Sequence, residues 1–367
     1  MIFWLPLASV FFIWWLFAAQ LPFQLPVGVW DEDHSSLSRQ ISRYLDATPG
    51  LKVARQYADA HEAEAALQAG EVYAVIYLPR NLNSDVKSGR GGHMVLNVNA
   101  QFGTHSGLIQ RDVTTVVGTV SAGIQMQMRV TRGQPVQQAQ ASFSPLQAQN
   151  TALFNVAGDY QIFLGSVVIP ALLHIFAMTA GVYSVGRELR DKTLGQWLNS
   201  TLSWRVRALA LMGKLMPSIL SLSLVSAVSV WLIAQQGSNN LAALCSVLFS
   251  LCLLVVLSIV LGALMALLTL SLRMALSGAG FITSPAFAYS GIGFPLLAMS
   301  SGAYTWAMLL PYTHHARLQV QLLQMHASVH FAWPTLLGFS GAILLLFLLT
   351  IPLLQRALQS PEKWGAR

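Results

Sequence analysis

The sequence predicts an α-helical integral membrane protein with six transmembrane helices and an inserted extracytoplasmic α/β domain. Of its 367 residues, 54% are hydrophobic and 10% are charged, whereas a soluble domain usually carries about 25% charged residues. Six apolar stretches approach the roughly 20 residues that a helix needs to cross a bilayer. One polar stretch of ordinary composition separates the first of them from the other five.

The first apolar stretch, residues 2–21, contains no charge. We interpret it as a transmembrane helix within residues 1–22 rather than as a secretory signal peptide. A signal peptide begins with a positively charged region, which is missing, and Phe17-Ala18-Ala19 is a poor cleavage site. The other five spans are expected within residues 158–367. Their predicted ranges are 160–186, 215–234, 241–272, 274–297 and 335–354.

Residues 23–157 are predicted to form the α/β domain and a long helix that follows it. Short β-branched runs alternate with amphipathic stretches, which is typical of an α/β unit. Strands are predicted at 25–30, 51–56, 72–78 and 94–99, and helices at 35–45, 59–69, 81–88 and 104–149. The glutamine-rich face of the last helix is interpreted as solvated or as a protomer contact, with a substrate-lining surface as the alternative.

Positive charges predict the orientation of the spans. Ten Lys and Arg residues fall in the short connections and tail on one side of the predicted bilayer, and Arg317 alone falls in the short connections on the other. The long polar domain is left out of this count, because long domains cross the membrane largely regardless of their charge. Cytoplasmic loops carry the excess of Lys and Arg, so both termini and segment 187–214 are predicted in the cytoplasm and the α/β domain outside. With three acids, these ten cations account for the net charge of +7. The basicity therefore reflects topology, and no nucleic-acid partner is expected.

Two stretches in the outer domain resemble a known family. The sequence VWDEDHS at residues 29–35, followed by Ser38-Arg39, resembles the strand and helix start after the first span of ABC-2 type transporter permeases that carry an extracytoplasmic domain. Residues 65–82, AALQAGEVYAVIYLPRNL, look like that family's L-x-x-G-x-x-x-x-x-I-x-I-P-x-x-F stretch. Leu82 stands where an aromatic residue is usual.

The later part of the chain carries three further resemblances to the same family. Residues 187–198, RELRDKTLGQWL, are similar to its RE-x-x-x-GTLEQLL segment, residues 213–217 to its GK-x-x-P, and residues 311–314 to its P-x-T-H. The family's glycine is replaced by Lys192, its second glutamate by Gly195, and a common proline by Ser200-Thr201. The resemblance covers essentially the whole chain, but the amphipathic cytoplasmic helix before the first span is missing.

The resemblance implies a permease subunit whose ATPase is another chain. The sequence agrees, because it contains no G-x-x-x-x-G-K-[ST] phosphate-binding loop. No cofactor is expected on this chain, and ATP and Mg²⁺ are expected on the partner ABC ATPase. No catalytic residue is predicted. The candidate ATPase-coupling residues are Arg187, Glu188, Arg190, Thr193, Leu194, Gln196, Trp197 and Leu198.

The coupling segment has two interpretations. In the first, the apolar set Leu189, Leu194, Trp197 and Leu198 fits a groove on the ATPase, and Glu188 transmits closure of the ATPase pair into a tilt of the second span. In the other, the segment is a positive-inside anchor with Trp197 at the lipid interface. Both roles can hold together.

Polar residues and helix breakers within the spans mark a candidate transport path of His174, Pro285 and Tyr289. His174 lies alone in the second span, where polar side chains usually face the protein interior or a cavity, and a helix-to-helix hydrogen bond is favoured over a substrate contact. Several Gly and Pro residues, including Pro285, predict a kinked or interrupted fifth span. The histidines at 314, 315, 326 and 330 lack a nearby cysteine or carboxylate, so hydrogen bonding is favoured over a metal site.

The function predicted from this resemblance is the membrane-spanning subunit of an ATP-binding cassette exporter. Two permease chains, in a homodimer or heterodimer, would move hydrophobic or amphipathic, drug-like or lipid-like substrates out of the cytoplasm or inner membrane. The expected location is a bacterial inner membrane, where similar permeases often work with a periplasmic adaptor. The alternative is a membrane-anchored sensor or adaptor domain without transport. A membrane-embedded enzyme is disfavoured, because the spans contain no paired carboxylates or nucleophile with a base.

Overall fold

The structure, a computed structural model, describes residues 2–18, 23–88, 91–99, 103–131, 159–198, 202–235 and 240–364. The chain divides into two compact units. The helical unit comprises residues Met1–Gln20 and Ala152–Arg367, and the α/β unit comprises Leu21–Thr151. The helical unit begins with helix α1 (Trp4–Leu16), so the α/β unit is inserted in the sequence after the first helix.

The described residues of the α/β unit form four strands and four helices. In chain order they are β1 (Leu25–Asp31), α2 (Ser36–Asp46), β2 (Leu51–Tyr57), α3 (Ala60–Ala69), β3 (Ala74–Leu78), α4 (Leu82–Lys87), β4 (Val95–Val98) and α5 (Gly103–Thr131). Apart from the end of α5, these bounds lie within two residues of the predicted ones, which confirms the secondary structure. The helix was expected to continue to Gln149, and residues 132–149 lie outside the described ranges.

The strands form one mixed sheet in the order β2-β1-β3-β4. β1 is parallel to both of its neighbours, and β4 is antiparallel to β3. One apolar core joins Val27 and Ile76 of the sheet to Leu45 of α2 and Ile109 of α5. A second, smaller core joins Val75 to α3. The alternation of Val75 and Ile76 between the two cores follows from the two-residue period of a strand.

Local residues define the start of α2 and the end of α3. The Ser35 hydroxyl accepts the amides of Leu37 and Ser38, and the Ser38 hydroxyl accepts the amide of Ser35, which completes a capping box at the start of α2. Helix α3 ends at Gly70, which adopts a left-handed φ of 74° that favours glycine.

The described helices of the helical unit after residue 158 are mostly long and apolar. They are α6 (Ser166–Arg190), α7 (Leu194–Trp197), α8 (Trp204–Ala234), α9 (Leu241–Thr269), α10 (Leu272–Thr283), α11 (Ser301–Leu309), α12 (Pro311–Gln319) and α13 (Ala332–Gln359). A π-helical turn, Gln161–Gly165, precedes α6, and another, Val320–Gln324, follows α12. Four helical stretches in the described residues are long and apolar enough to cross a membrane: Gln161–Arg190, Trp204–Ala234, Leu241–Thr269 and Val329–Gln359.

Six full-length spans are not confirmed. α1 has 13 residues and α10 has 12, and at 1.5 Å per residue 12 residues cover about 18 Å of a hydrocarbon core of about 30 Å. The predicted interruption of the fifth span is confirmed, because α10 ends two residues before Pro285. The chain then makes turns, including one at Gly291 with φ of 90°, before the short helices α11 and α12.

Helix α9 lies at the centre of the helical unit and packs against α6 and α13. Two glycines bring the backbones of α6 and α9 together. A Cβ on Gly181 would overlap the carbonyl oxygen of Ile259, and a Cβ on Gly262 would overlap that of Met178. Small residues at such crossings allow the close approach that drives helix association in membranes.

Candidate functional site

The candidate coupling residues lie where α6 ends and the chain turns into α7. Arg187 and Arg190 occupy the last turn of α6, where cations interact favourably with the negative end of the helix dipole. After Asp191, Lys192 adopts a left-handed φ of 58°. This is the position where the resembling family has a glycine, the residue that such a backbone conformation favours.

Glu188 joins three helices through its carboxylate. Lys214 on α8 donates to Glu188 Oε1 from an Nζ–Oε1 distance of 2.5 Å, and the hydroxyl of Thr193 donates to the other carboxylate oxygen. The side chains of Lys214 and Glu188 are 23% and 18% exposed, so solvent screens this ion pair less than a surface pair. The ammonium group also lies 4.3 Å from the ring centroid of Trp197 on α7, within the range of a cation–π interaction.

The apolar residues of the segment face the interior of this chain. Leu189 and Leu194 are fully buried and Leu198 is 3% exposed, whereas Trp197 is half-buried. The expectation that the leucines fit a groove on a partner is therefore wrong, because the turn at Lys192 folds α7 back onto the helical unit. They instead anchor the segment to the core.

The exposed side of the segment is polar. Arg187, Arg190 and Gln196 are exposed, and both arginines form ion pairs with Asp191, at 3.4 Å and 2.8 Å. The hydrogen bond from Arg190 holds the pKa of the Asp191 carboxyl below its usual value. Any protein that contacts this side of the segment meets guanidinium groups, the Asp191 carboxylate, the Lys192 side chain and an amide.

Arg205 and Arg207, near the start of α8, have different environments. Arg205 is exposed and lies 5.5 Å from the ring centroid of Trp204. Arg207 is 6% exposed and donates to Gln355 of α13 across 3.2 Å. No local sequence pattern predicts this contact, because its two residues are 148 positions apart.

The helix-to-helix hydrogen bond expected for His174 is present. His174 Nδ1 lies 2.7 Å from the Ser258 hydroxyl of α9, and the imidazole is fully buried. Its ring stacks near Tyr312 of α12, with centroids 6.4 Å apart. The Tyr312 hydroxyl in turn donates to the backbone carbonyl of Val167 at 2.6 Å.

Helix α12 contributes further buried polar residues: His315, for which the sequence favoured hydrogen bonding, and Tyr312 and Gln319, which sequence reasoning missed. His315 Nδ1 lies 3.0 Å from the Ser250 hydroxyl of α9, and Gln319 Nε2 donates to the carbonyl of Ser166 at 2.8 Å. Gln324, in the following π-helical turn, donates to the carbonyl of Ile162. Together with Tyr312, these side chains connect α12 to α6 and α9. The sequence PYTH at residues 311–314 was the one resemblance that pointed to this helix. It did not indicate that the polar side chains of the helix are buried between other helices.

The remaining members of the candidate transport path lie on the segment after α10. Pro285 and Tyr289 are half-buried, and the Tyr289 amide donates to the Pro285 carbonyl at 3.1 Å. Among the described residues, no hydrogen bond or ring contact joins either of them to His174. The described contacts therefore do not join the three candidate residues into one site.

Comparison of the sequence with known protein families identifies the family of this chain. Residues 1–351 match the family model described as ABC-2 family transporter protein. This chain belongs to the ABC-2 transporter family. No curated protein matches its sequence significantly.

As an ABC-2 family member, the protein is the permease subunit of an ABC transporter and a multi-pass membrane protein. Membership implies that the permease pairs with an ABC ATPase subunit and forms a dimer in the membrane. In such a transporter the permease must receive the ATPase's movement at some contact and pass it to its spans. The Glu188 cluster, defined as Glu188, Thr193, Trp197 and Lys214, joins a short surface helix to two spans.

Proposed function

We propose that this permease exports hydrophobic or amphipathic substrates, drug-like or lipid-like, driven by ATP hydrolysis on a separate subunit. The observation that carries the proposal is the Glu188 cluster, which ties α7 to the end of α6 and to the N-terminal half of α8 through an ion pair, a hydrogen bond and a cation–π contact. A contact of this kind serves energy coupling, because helices joined this way move together when the exposed segment is pushed.

In the proposed mechanism, the ATPase contacts the exposed Arg187, Arg190 and Gln196. The buried leucines of the segment prevent it from moving independently of the core, and Glu188 passes the displacement to α6 and α8. Closure of the ATPase pair on ATP would then tilt α6. The role as a membrane-surface anchor is compatible with this mechanism, because Trp197 is half-buried.

The tilt of α6 has a proposed consequence for the transport path. α6 carries His174, and its contacts with α9 include the His174–Ser258 hydrogen bond and the backbone crossing at Gly181. A movement of α6 therefore displaces or breaks these contacts and changes the space between α6, α9 and α12. Pro285 and Tyr289, on the interrupted fifth segment, complete the proposed path.

The proposed setting is a bacterial inner membrane with both termini in the cytoplasm and the α/β unit outside. The distribution of Lys and Arg residues among the connections supports this orientation. α1 and α10 are proposed to complete six membrane segments, together with the four long helices. A homodimer or heterodimer would enclose the path, and the α/β unit would be available to a periplasmic adaptor.

The decisive experiment is purification of the permease with its ATPase. The chain is tagged, expressed with the candidate ABC ATPase and reconstituted in nanodiscs, and ATP hydrolysis is measured with hydrophobic and amphipathic compounds. We expect the ATPase to co-purify and at least one compound to raise its rate. A complex whose ATPase lacks the P-loop lysine gives the background rate of ATP hydrolysis. If no ATPase co-purifies, the proposal is wrong and a sensor or adaptor without transport becomes the better explanation.

A further inference from the structure

The α/β unit contains a groove between α2, α4 and α5. Its deep part is a cavity of about 400 Å³, within the range of about 300–1,000 Å³ that is typical of small-molecule sites. The described side chains that line it are mainly aliphatic residues and methionines, among them Leu37, Ile41, Leu82, Val86, Met94 and Met128. Methionine adapts its shape to irregular apolar ligands.

The deep cavity continues into a wider outer one. The outer cavity, of about 490 Å³, shares Leu37, Val86, Ile124 and Met128 with the deep one. Because the two cavities have these walls in common, they form one groove. The outer part also has polar residues on its lining, which are Ser36, Gln40, Asn83, Lys87 and Gln127. The deep cavity is thus mainly apolar, with Ser121 and Gln125 as its polar lining residues, and the outer cavity is more polar.

Charge distinguishes the ligands that fit this groove. Among the described residues that line either cavity, Lys87 is the one charged residue, and no carboxylate is present. Lys87 is exposed, so its ammonium group can approach a ligand at the mouth. A molecule with an apolar body and a negatively charged head matches both parts of the groove.

We propose that this groove is a binding site for an anionic amphiphile, with the apolar body in the deep cavity and the acidic head beside Lys87. The further statement that the amphiphile is transported cargo rests on the proposed export function. Binding itself requires neither ATP nor transport. The site would hold the ligand on the α/β unit rather than among the spans.

The test uses the full chain in nanodiscs with a photoactivatable fatty acid, diazirine-labelled palmitic acid. After irradiation, peptides are mapped by mass spectrometry over increasing concentrations of the probe. We expect saturable labelling of peptides that contain Met94 or residues 121–128. Unlabelled palmitic acid should compete for it. The probe also dissolves in the bilayer and labels the membrane helices from there. That labelling is the internal reference with which labelling of the groove is compared.

A matched pair of substitutions on α5 tests the deep cavity. Ser121 lines it, so Ser121→Phe places a ring where the apolar body would lie, and labelling of the groove should fall at least about tenfold. Thr119 is exposed and does not line the groove, so Thr119→Phe should leave labelling unchanged. If Ser121→Phe lowers the melting temperature, Gln125→Trp provides a second obstruction of the same cavity.

A second pair of substitutions tests the head group. Lys87→Glu should weaken labelling by up to about fivefold, the size expected for one exposed charge pair. Lys52→Glu, on the exposed side of β2, should leave the labelling unchanged. Labelling confined to the membrane helices, non-saturable labelling, or equal effects of Ser121→Phe and Thr119→Phe would each overturn the proposal. Saturable groove labelling without any stimulation of the ATPase would retain the site and count against export.

Discussion

Lys214 on α8 donates to Glu188 on α6 across 2.5 Å, although the two residues are 26 positions apart. The same carboxylate accepts the hydroxyl of Thr193, at the start of α7. One acid therefore holds together the end of one span, the start of the next and the short helix between them. In an ABC transporter permease, this makes Glu188 the residue whose loss should separate ATP hydrolysis from transport.

Charge reversal at Glu188 is the first prediction. Glu188→Lys places an ammonium group beside Lys214, so we expect transport per ATP hydrolysed to fall while membrane insertion is retained. The double variant Glu188→Lys with Lys214→Glu restores opposite charges and should recover part of the coupling. Glu362→Lys, an exposed reversal in the tail, is the control. Normal substrate stimulation of the ATPase in Glu188→Lys would contradict the coupling role.

The left-handed turn at Lys192 gives the second prediction. A non-glycine residue in this conformation costs about 1–2 kcal/mol, so Lys192→Gly should raise the melting temperature of the purified permease. Lys192→Ala removes the same charge but keeps the Cβ, and it should give no such gain. Thermal unfolding in detergent measures both variants. Equal melting temperatures for the glycine and alanine variants would contradict the backbone strain assigned to Lys192.

The crossing of α6 and α9 gives the third prediction. Gly181→Ala or Gly262→Ala inserts a methyl group against a backbone carbonyl that cannot move freely, so each should destabilise the protein by about 1–3 kcal/mol. Gly338→Ala is the matched control, because nothing lies within 4 Å of its Cβ position on α13. Yields of folded protein and melting temperatures are compared. An unchanged Gly181→Ala variant would argue against the close helix contact.

The hydrogen bond between His174 and Ser258 gives the fourth prediction. His174→Phe and Ser258→Ala each remove it, at a cost of about 1 kcal/mol. Because both substitutions break the same bond, the double variant should be less destabilised than the sum of the two. Ser250→Ala affects the His315 bond instead, and its effect should add to that of His174→Phe. Full additivity of His174→Phe and Ser258→Ala would mean that the bond contributes nothing.

The fifth prediction concerns topology. After Cys245 and Cys252 are changed to serine, a single cysteine is introduced at exposed Lys52 in the α/β unit or at exposed Gln196 in α7. A membrane-impermeant thiol reagent applied to intact cells should label the first position. It should label the second only after the membrane is opened. Labelling of both positions from the same side would overturn the exporter orientation.

The sequence determined the local structure of this protein. Runs of apolar residues predicted the four long helices, because about 20 consecutive apolar residues form a helix long enough to cross the hydrocarbon core. Short β-branched runs that alternate with amphipathic stretches predicted the α/β unit to within two residues, apart from the end of α5. The RELRDKTLGQWL segment indicated the family and the candidate coupling region, and His174 in an apolar helix indicated a hydrogen-bonded partner without identifying it.

Only the tertiary structure decided which side chains meet. Glu188 and Lys214 are joined by the packing of α6 on α8, and Arg207 and Gln355 by the packing of α8 on α13, which no local pattern encodes. Leu194 and Leu198 are buried in the structure, whereas the sequence had predicted that they contact a partner. Helix α12 packs among the long helices. The physical reason is that burial and long-range pairing depend on which helix faces oppose each other, whereas helix formation depends on residues within a few positions.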